Sequence, residues 1–189
     1  MPSRNLKPLT ALRPITSRAL TSLKDTLQTY WQNARVLDLF SGSGRLAWLA
    51  FAEGAAEVEM VEADRARVRI LHSIAKTKNA HAHVHQGDAL LWLESAAHHK
   101  RPPYDIIFCD PPFRWWTDEK GDRLVRSALV CLVPAGVLVV RLDKKDMLPS
   151  GLAHARLQLW KNSVFGESRL LYMKMLPESS LSPEQPHAT

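Results

Sequence analysis

Residues Arg35-Val-Leu-Asp-Leu-Phe-Ser-Gly-Ser-Gly-Arg-Leu-Ala47 decide the fold. Arg35 to Phe40 is a short apolar run that breaks at a glycine turn, and Arg45 to Glu53 then carries a helical pattern. Strand, tight turn and helix in that order open an α/β sheet of the nucleotide-binding kind. The alternation repeats downstream. Val58–Glu62 reads as a strand before a charged helix from Asp64 to about Lys78, and His83–Gln86 as a strand before a helix from about Ala89 to Ala97. Tyr104–Cys109 precedes a helix from about Asp118 to Leu132, and Val137–Arg141 is a fifth strand. Val/Ile/Leu runs separated by helices indicate a parallel sheet covered on both faces. After Pro149 two further runs, Ala153–Trp160 and Ser168–Met175, follow without a helix between them and should close the sheet as a hairpin-like pair. The expected fold class is Rossmann-like α/β, with a seven-stranded, mostly parallel sheet, helices on both faces and an antiparallel last strand.

The turn itself carries chemistry. Gly42 and Gly44 let the backbone approach a nucleotide closely, and Ala47 completes a G-x-G-x-x-A spacing that alone would permit a dinucleotide. Asp38, four positions before the first glycine, would repel a pyrophosphate. Such a carboxylate suits a cationic ligand instead, such as the ammonium and sulfonium of S-adenosylmethionine. Glu62 and Asp64 follow the second strand; a carboxylate there can accept from two ribose hydroxyls. Asp64 is better placed to cap the next helix, so Glu62 takes the ribose role. Asp88, beside Ala89 after the third strand, can take an adenine amino hydrogen or serve as a helix cap. Three acids at successive strand ends define one crevice.

The sharpest motif is Asp110-Pro111-Pro112-Phe113, directly after the fourth strand. Two prolines stiffen the loop and remove two N–H donors, which leaves carbonyls to accept. The Asp110 carboxylate and the Pro111 carbonyl can hold both hydrogens of an exocyclic amine, its nitrogen in line with a methyl donor. Phe113 can stack on the base. Trp115 and Trp116, next in the same loop, are candidates for stacking on flipped bases, with packing against the following helix as the alternative.

Asp38-Leu-Phe-Ser-Gly-Ser-Gly44 with Asp110-Pro-Pro-Phe113 resembles the class I S-adenosylmethionine-dependent methyltransferases of exocyclic amines. Leu12-Arg-Pro-Ile-Thr-Ser-Arg18 is similar to the L-R-P-T-x-x-R segment of the RsmD family, small-subunit (16S) ribosomal RNA guanine-N2 methyltransferases. Phe165-Gly-Glu-Ser-Arg-Leu-Leu-Tyr172 resembles that family's last strand pair. The chain departs from the pattern at Ile15 and Ser17, and Arg4-Asn-Leu-Lys7 matches only the end of the family's basic N-terminal hairpin. The resemblance implies S-adenosylmethionine contacts from Asp38, Gly42, Glu62 and Asp88, with Phe40, Gly44, Ala89 and Asp110 beside them. It implies target-base contacts from Asp110, Pro111 and Phe113, and places Pro112 in the same catalytic loop. Arg13, Arg18, Trp115 and Trp116 are the candidate substrate contacts.

Composition fits this reading. The 189 residues carry 25 Lys plus Arg against 19 Asp plus Glu, and 46% are hydrophobic, a globular balance that excludes fibrous and wholly disordered classes. Six of the cations stand in the first thirty-seven residues against the single acid Asp25, so a basic arm (residues 1–33) should precede the catalytic domain (34–176). Residues 177–189 are polar and proline-punctuated, and read as a disordered tail. Two cysteines, Cys109 and Cys131, exclude a disulfide scaffold, and no apolar run is long enough to span a bilayer. The alternating His81, His83 and His85 lack a second element to complete a metal site, so no metal is expected. The expectation is a cytoplasmic monomer acting on ribosomal RNA or a small-subunit assembly particle, away from membranes. The rivals are an adenine-N6 methyltransferase, a nucleic-acid-binding subunit without catalysis, and a nucleotide-dependent oxidoreductase, which Asp38 disfavours.

Overall fold

A computed structural model describes residues 14–78, 80–95, 101–117, 119–147, 150–154 and 156–177. The chain runs α1 (Ser17–Thr26), β1 (Arg35–Asp38), α2 (Arg45–Ala52), β2 (Glu57–Glu62), α3 (Arg65–Lys78), β3 (Ala82–Gln86), α4 (Ala89–Leu93) and β4 (Tyr104–Cys109). A 3-10 turn (Phe113–Thr117), α5 (Glu119–Val130), β5 (Leu132–Asp143), a second 3-10 turn (Ser150–Ala153), β6 (Leu157–Phe165) and β7 (Ser168–Met175) complete it. The strands form one seven-stranded sheet in the order β3-β2-β1-β4-β5-β7-β6. β1 to β5 are parallel; β7 inserts antiparallel between β5 and β6. This is the expected Rossmann-like sheet. Its order reverses between β1 and β4, the switch point where ligands of open α/β sheets bind.

Period-2 alternation sorts the strands into two cores. Leu37, Ile107, Leu138 and Val140 face α4, α5 and the first 3-10 turn. Val36, Met60, Ile106, Phe108, Val137 and Val139 face α1, α2 and Leu71 of α3. Both faces are buried, which is why the strand sequences read as unbroken apolar runs. Residues 14–33, expected as part of an arm, pack into the second core: Ala19 and Leu23 of α1 and Leu27 just after it are buried there, and Trp31 lies against Phe108 with ring centroids 6.3 Å apart.

Two boundaries differ from the sequence reading. β5 starts at Leu132 rather than Val137, because Tyr104 N–H donates to the Cys131 carbonyl and Leu132 aligns with Tyr104 before an irregularity around Pro134 and Ala135. β6 spans Leu157–Phe165 rather than Ala153–Trp160; it is an edge strand, largely exposed, and shows no alternation to mark its start.

At the opposite end of the sheet from the strand C-termini's turn, β2 carries a buried acid. Glu59 is fully buried and accepts from Tyr104 Oη at 2.8 Å, with His85 Nε2 at 2.8 Å, Arg101 Nη1 at 2.5 Å and Arg35 Nη2 at 3.4 Å. These contacts hold its carboxyl down at about 2 although burial alone would push it up.

Candidate active site

The alternation that builds the second core also aims the polar groups. Asp38 shares a face with Val36, Glu62 with Met60, Asp110 with Phe108 and Arg141 with Val139, so four charged side chains converge at the C-terminal edge of four adjacent strands. Glu62, Asp110 and Arg141 border a cavity of about 640 Å³ whose wall also includes Phe40, Gly42 and Asp88, while Asp38 is buried close to them without lining it.

The glycine turn is fixed from two sides. Gly42 (φ 53°) donates its N–H to Glu62 Oε2 at 2.8 Å, and Gly44 (φ 77°) donates to the Ser41 carbonyl at 2.6 Å while starting α2. A Cβ on Gly44 would lie 2.4 Å from Trp48 Nε1 and 2.7 Å from Leu71 Cδ2, so glycine is required both for conformation and for space. Asp38 is buried, and neither carboxylate oxygen has a hydrogen-bond partner at normal geometry. Burial first, then the neighbouring Asp110 and Glu62 charges, raise its carboxyl to about 7; the nearby Phe40 and Ala47 amides offset only part of this. A buried carboxylate without a partner is costly, and protonation or a cation beside it relieves that cost.

Glu62 Oε1 accepts from Asp64 N–H at 2.8 Å and lies 3.5 Å from Arg67 Nη1. Oε2, whose one donor is Gly42 N–H, retains capacity to accept again. Asp64 caps α3 as expected, its Oδ1 accepting from Ala66 and Arg67 N–H at 2.9 Å. Asp88 caps α4 through Oδ1, with Leu90 at 2.9 Å and Leu91 at 3.1 Å, yet it also lines the cavity beside Ala89.

Asp110 closes the far wall. Its Oδ2 accepts from Arg141 Nη1 at 3.0 Å. Burial raises its carboxyl above the ordinary value, and the guanidinium pulls the other way. Pro111 and Pro112 line the cavity as well, but the Pro112 carbonyl is taken by Trp115 N–H at 2.9 Å, starting the 3-10 turn. Of the two proline carbonyls expected to be open, that one is not.

The family described as Conserved hypothetical protein 95 matches residues 2–174. Among relatives, Ribosomal RNA small subunit methyltransferase D of Escherichia coli (strain K12) is 36% identical over 104 residues, 54% of this chain and 50% of that one. The protein of the same name from Haemophilus influenzae (strain ATCC 51907 / DSM 11121 / KW20 / Rd) is 30% identical over 144 residues, 72% of this chain and 71% of that one.

The chain belongs to the RsmD family.

Its match spans about half the length of the Escherichia coli relative. Among solved structures, Escherichia coli yhhF is 26% identical with a TM-score of 0.73, covering 87% of this chain and 88% of that one. TrmN from Thermus thermophilus, 22% identical with a TM-score of 0.71 and covering 89% and 52%, shares the fold. The class I methyltransferase fold expected from the sequence is the fold observed.

Within this RsmD chain, the segment that carried the family resemblance is only partly placed. Arg13 and the cations before it lie outside the described residues, as does the side chain of Phe113. Ile15, the departure from the family pattern, is buried in the second core, and its carbonyl accepts from Arg45 Nη1 at 2.7 Å. Arg18 does not line the crevice; it sits on the outer face of α1 near Asp25 and Lys161. Trp115 borders the cavity but is buried, edge-on to Phe40 with centroids 5.3 Å apart. Trp116 corrects the expectation of exposed aromatics. It is turned into the core, and its Nε1 donates to the Arg141 carbonyl at 2.9 Å.

Sequence reasoning missed Arg141. It is the only buried cation among the described residues, and the only charge between Val137 and Leu142. Register could have found it: Cys109 is level with Val140, which puts the next residues, Asp110 and Arg141, side by side.

α3 carries a second electrostatic signature. Arg65 and Arg67 occupy its first turn and Arg69 the next, where the helix dipole disfavours cations. Arg65, Arg69 and Lys76 are exposed on one side, without a carboxylate in ion-pair range among the described residues.

Proposed function

We propose that this chain is an S-adenosylmethionine-dependent methyltransferase acting on the exocyclic N2 of a guanine in small-subunit ribosomal RNA. The observation that carries it is one 640 Å³ crevice that joins the glycine turn and Glu62 to the Asp-Pro-Pro loop, with the buried, unpartnered Asp38 carboxylate close to Glu62 and Asp110. The names of the relatives support the substrate class. When bound, S-adenosylmethionine supplies an electrophilic methyl group for direct displacement by an amine nitrogen. Asp38 faces the cationic end of that cofactor, the Gly42 to Gly44 turn allows close backbone approach, and Glu62 accepts from its ribose hydroxyls. Asp88 and Ala89 border the adenine. On the substrate side, Asp110 and the Pro111 carbonyl hold the amine hydrogens, which fixes the nitrogen and localises its lone pair, and Asp110 or water receives the proton. Positioning supplies most of the acceleration. Trp115 borders the flipped base and Phe113 is assigned to stack on it, and Arg13 and Arg18 of the basic 1–33 arm meet RNA phosphates, with the 177–189 tail assigned no part in catalysis.

Among the described residues no helix is long and apolar enough to cross a membrane. A cytoplasmic monomer acting on ribosomal RNA or an assembly particle is the setting we infer. Mapping modified nucleosides in ribosomal RNA from cells with and without the gene tests the reading. One N2-methylguanosine should vanish with the gene; loss of an N6-methyladenosine, or of nothing, overturns it.

Asp38 makes cofactor binding pH-dependent. Its carboxyl titrates at about 7 in the free protein, and a bound cation lowers that value. Affinity for S-adenosylmethionine should therefore fall as pH drops below 7 and level off above it, with binding below pH 7 releasing up to about one proton. Calorimetry in buffers of different ionisation enthalpy reads both quantities. A flat affinity between pH 6 and 8 contradicts the assignment.

A further inference from the structure

Arg141 is out of place in a crevice suited to a cation. A buried guanidinium is costly unless it is paired and fully engaged, and it repels a sulfonium. Its contacts point elsewhere. The side chain reaches Asp110 Oδ2 at 3.0 Å, and its own carbonyl accepts from Trp116 Nε1 at 2.9 Å. Asp110 and Trp116 are the two ends of the Asp-Pro-Pro loop, so one residue of β5 fastens that loop at both ends.

The consequence for Asp110 is chemical. With Oδ2 turned to Arg141, Oδ1 is left toward the cavity. Burial favours the neutral acid at this position. Arg141 is the charge that opposes it. A carboxylate is acceptor-only, whereas a protonated carboxyl also donates. Guanine presents N2–H beside N1–H, two donors in a row; adenine presents N6–H beside N1, a donor next to an acceptor. An acceptor-only Asp110 matches the first edge and repels the lone pair of the second.

From this we propose that Arg141 is the positioning residue that holds Asp110 as an oriented, acceptor-only carboxylate and thereby makes the crevice select guanine over adenine. The inference rests on the methyltransferase reading above. Buried polar sites reject a base that leaves their groups unpaired far more strongly than apolar pockets reject an extra methyl, so the selection can be steep.

The groups that interact with Asp110 from the surrounding elements are Asp38 of β1, Cys109 of β4 and Arg141 of β5. Glu62 of β2, Arg45 of α2, Arg67 of α3, Asp88 and Arg114 line the same crevice. Burial raises the Cys109 thiol, which therefore stays neutral near pH 7. Asp38 titrates in the same range, so cofactor is kept saturating throughout the test.

Single-turnover methylation is measured from pH 6 to 9 on two short RNAs, identical except for guanine or adenine at the target position. Arg141→Met should lose at least about tenfold in rate on guanine at pH 7, recover part of it as pH rises, and show a lower guanine-to-adenine ratio. Arg141→Lys keeps the charge without the planar fork, so it should lose rate while retaining the wild-type pH profile and ratio. Trp116→Phe removes only the second fastening, and should lower the rate with the profile unmoved. An Arg141→Met loss that is uniform across pH, with an unchanged ratio, overturns the proposal; so does an unimpaired variant. If Arg141→Met does not fold, a shifted pH profile or an altered ratio in Arg141→Lys overturns it instead. Wild-type protein inactive on the guanine RNA, yet binding cofactor, would instead indict the functional reading.

Discussion

Asp110→Ala should bind S-adenosylmethionine nearly as well as the wild type and transfer its methyl group at least about 10²–10³-fold more slowly. The expectation follows from how the two carboxylate oxygens are divided. Oδ2 accepts from Arg141, and the proposed function gives Oδ1 to the substrate amine. It gives the cofactor's cationic end to Asp38, an unpartnered buried carboxylate on a different strand. Removing Asp110 takes away orientation of the nitrogen, the contribution on which a direct displacement depends most. It also takes a carboxylate from the buried Arg141 guanidinium, so Asp110→Asn, which keeps the volume and one acceptor, is the necessary companion. Both variants should show the loss in kcat, with cofactor affinity from calorimetry within about threefold of wild type, a difference of less than about 1 kcal/mol. A parallel collapse of affinity would assign Asp110 to the cofactor and leave the target amine without its acceptor.

Glu59→Ala should be the most destabilising single substitution away from the crevice. Four partners from β1, β3, β4 and the segment before β4 converge on this fully buried carboxylate. Deleting the acid takes the ion-pair partner from Arg101 and the acceptor from the Tyr104 hydroxyl, while Arg35 keeps Glu57 at 2.8 Å. Breaking a buried ion pair by removing one partner costs about 3–5 kcal/mol. For a domain of this size that is roughly a 10 °C drop in Tm, readable by calorimetry or urea unfolding. The acid dependence has a definite sign. Glu59 is held at about 2 in the folded chain against 4.5 for an unperturbed glutamate. Its contribution is complete above pH 4.5 and drains away as pH falls toward 2. Glu59→Gln should therefore flatten the stability curve in that window. A variant as stable as wild type, or equally acid-sensitive, refutes the role.

Sequence reading reached the sheet, its closing hairpin and most of the crevice because these depend on local pattern. The Arg35 to Phe40 run, the glycine pair and the Asp-Pro-Pro loop each announce themselves within a few residues. What escaped depends on register or on side-chain direction. Arg141 became visible only when β4 and β5 were aligned, and Trp116 only when the 3-10 turn set its indole behind the loop instead of in front of it. Asp88 had two readings from the start, and the geometry satisfies the capping one while leaving the residue on the crevice wall. The onset of β6 was illegible for another reason: an edge strand exposed on nearly all sides has no alternation to read.

The arginines that open α3 work against their own helix dipole. In dilute salt that opposition is a standing strain, and any polyanion settling there relieves it while the unfolded chain gains little. A ligand that prefers the folded form raises its melting temperature by mass action. If the polyanion is the ribosomal RNA of the proposed function, chains occupied by it would outlast chains without it.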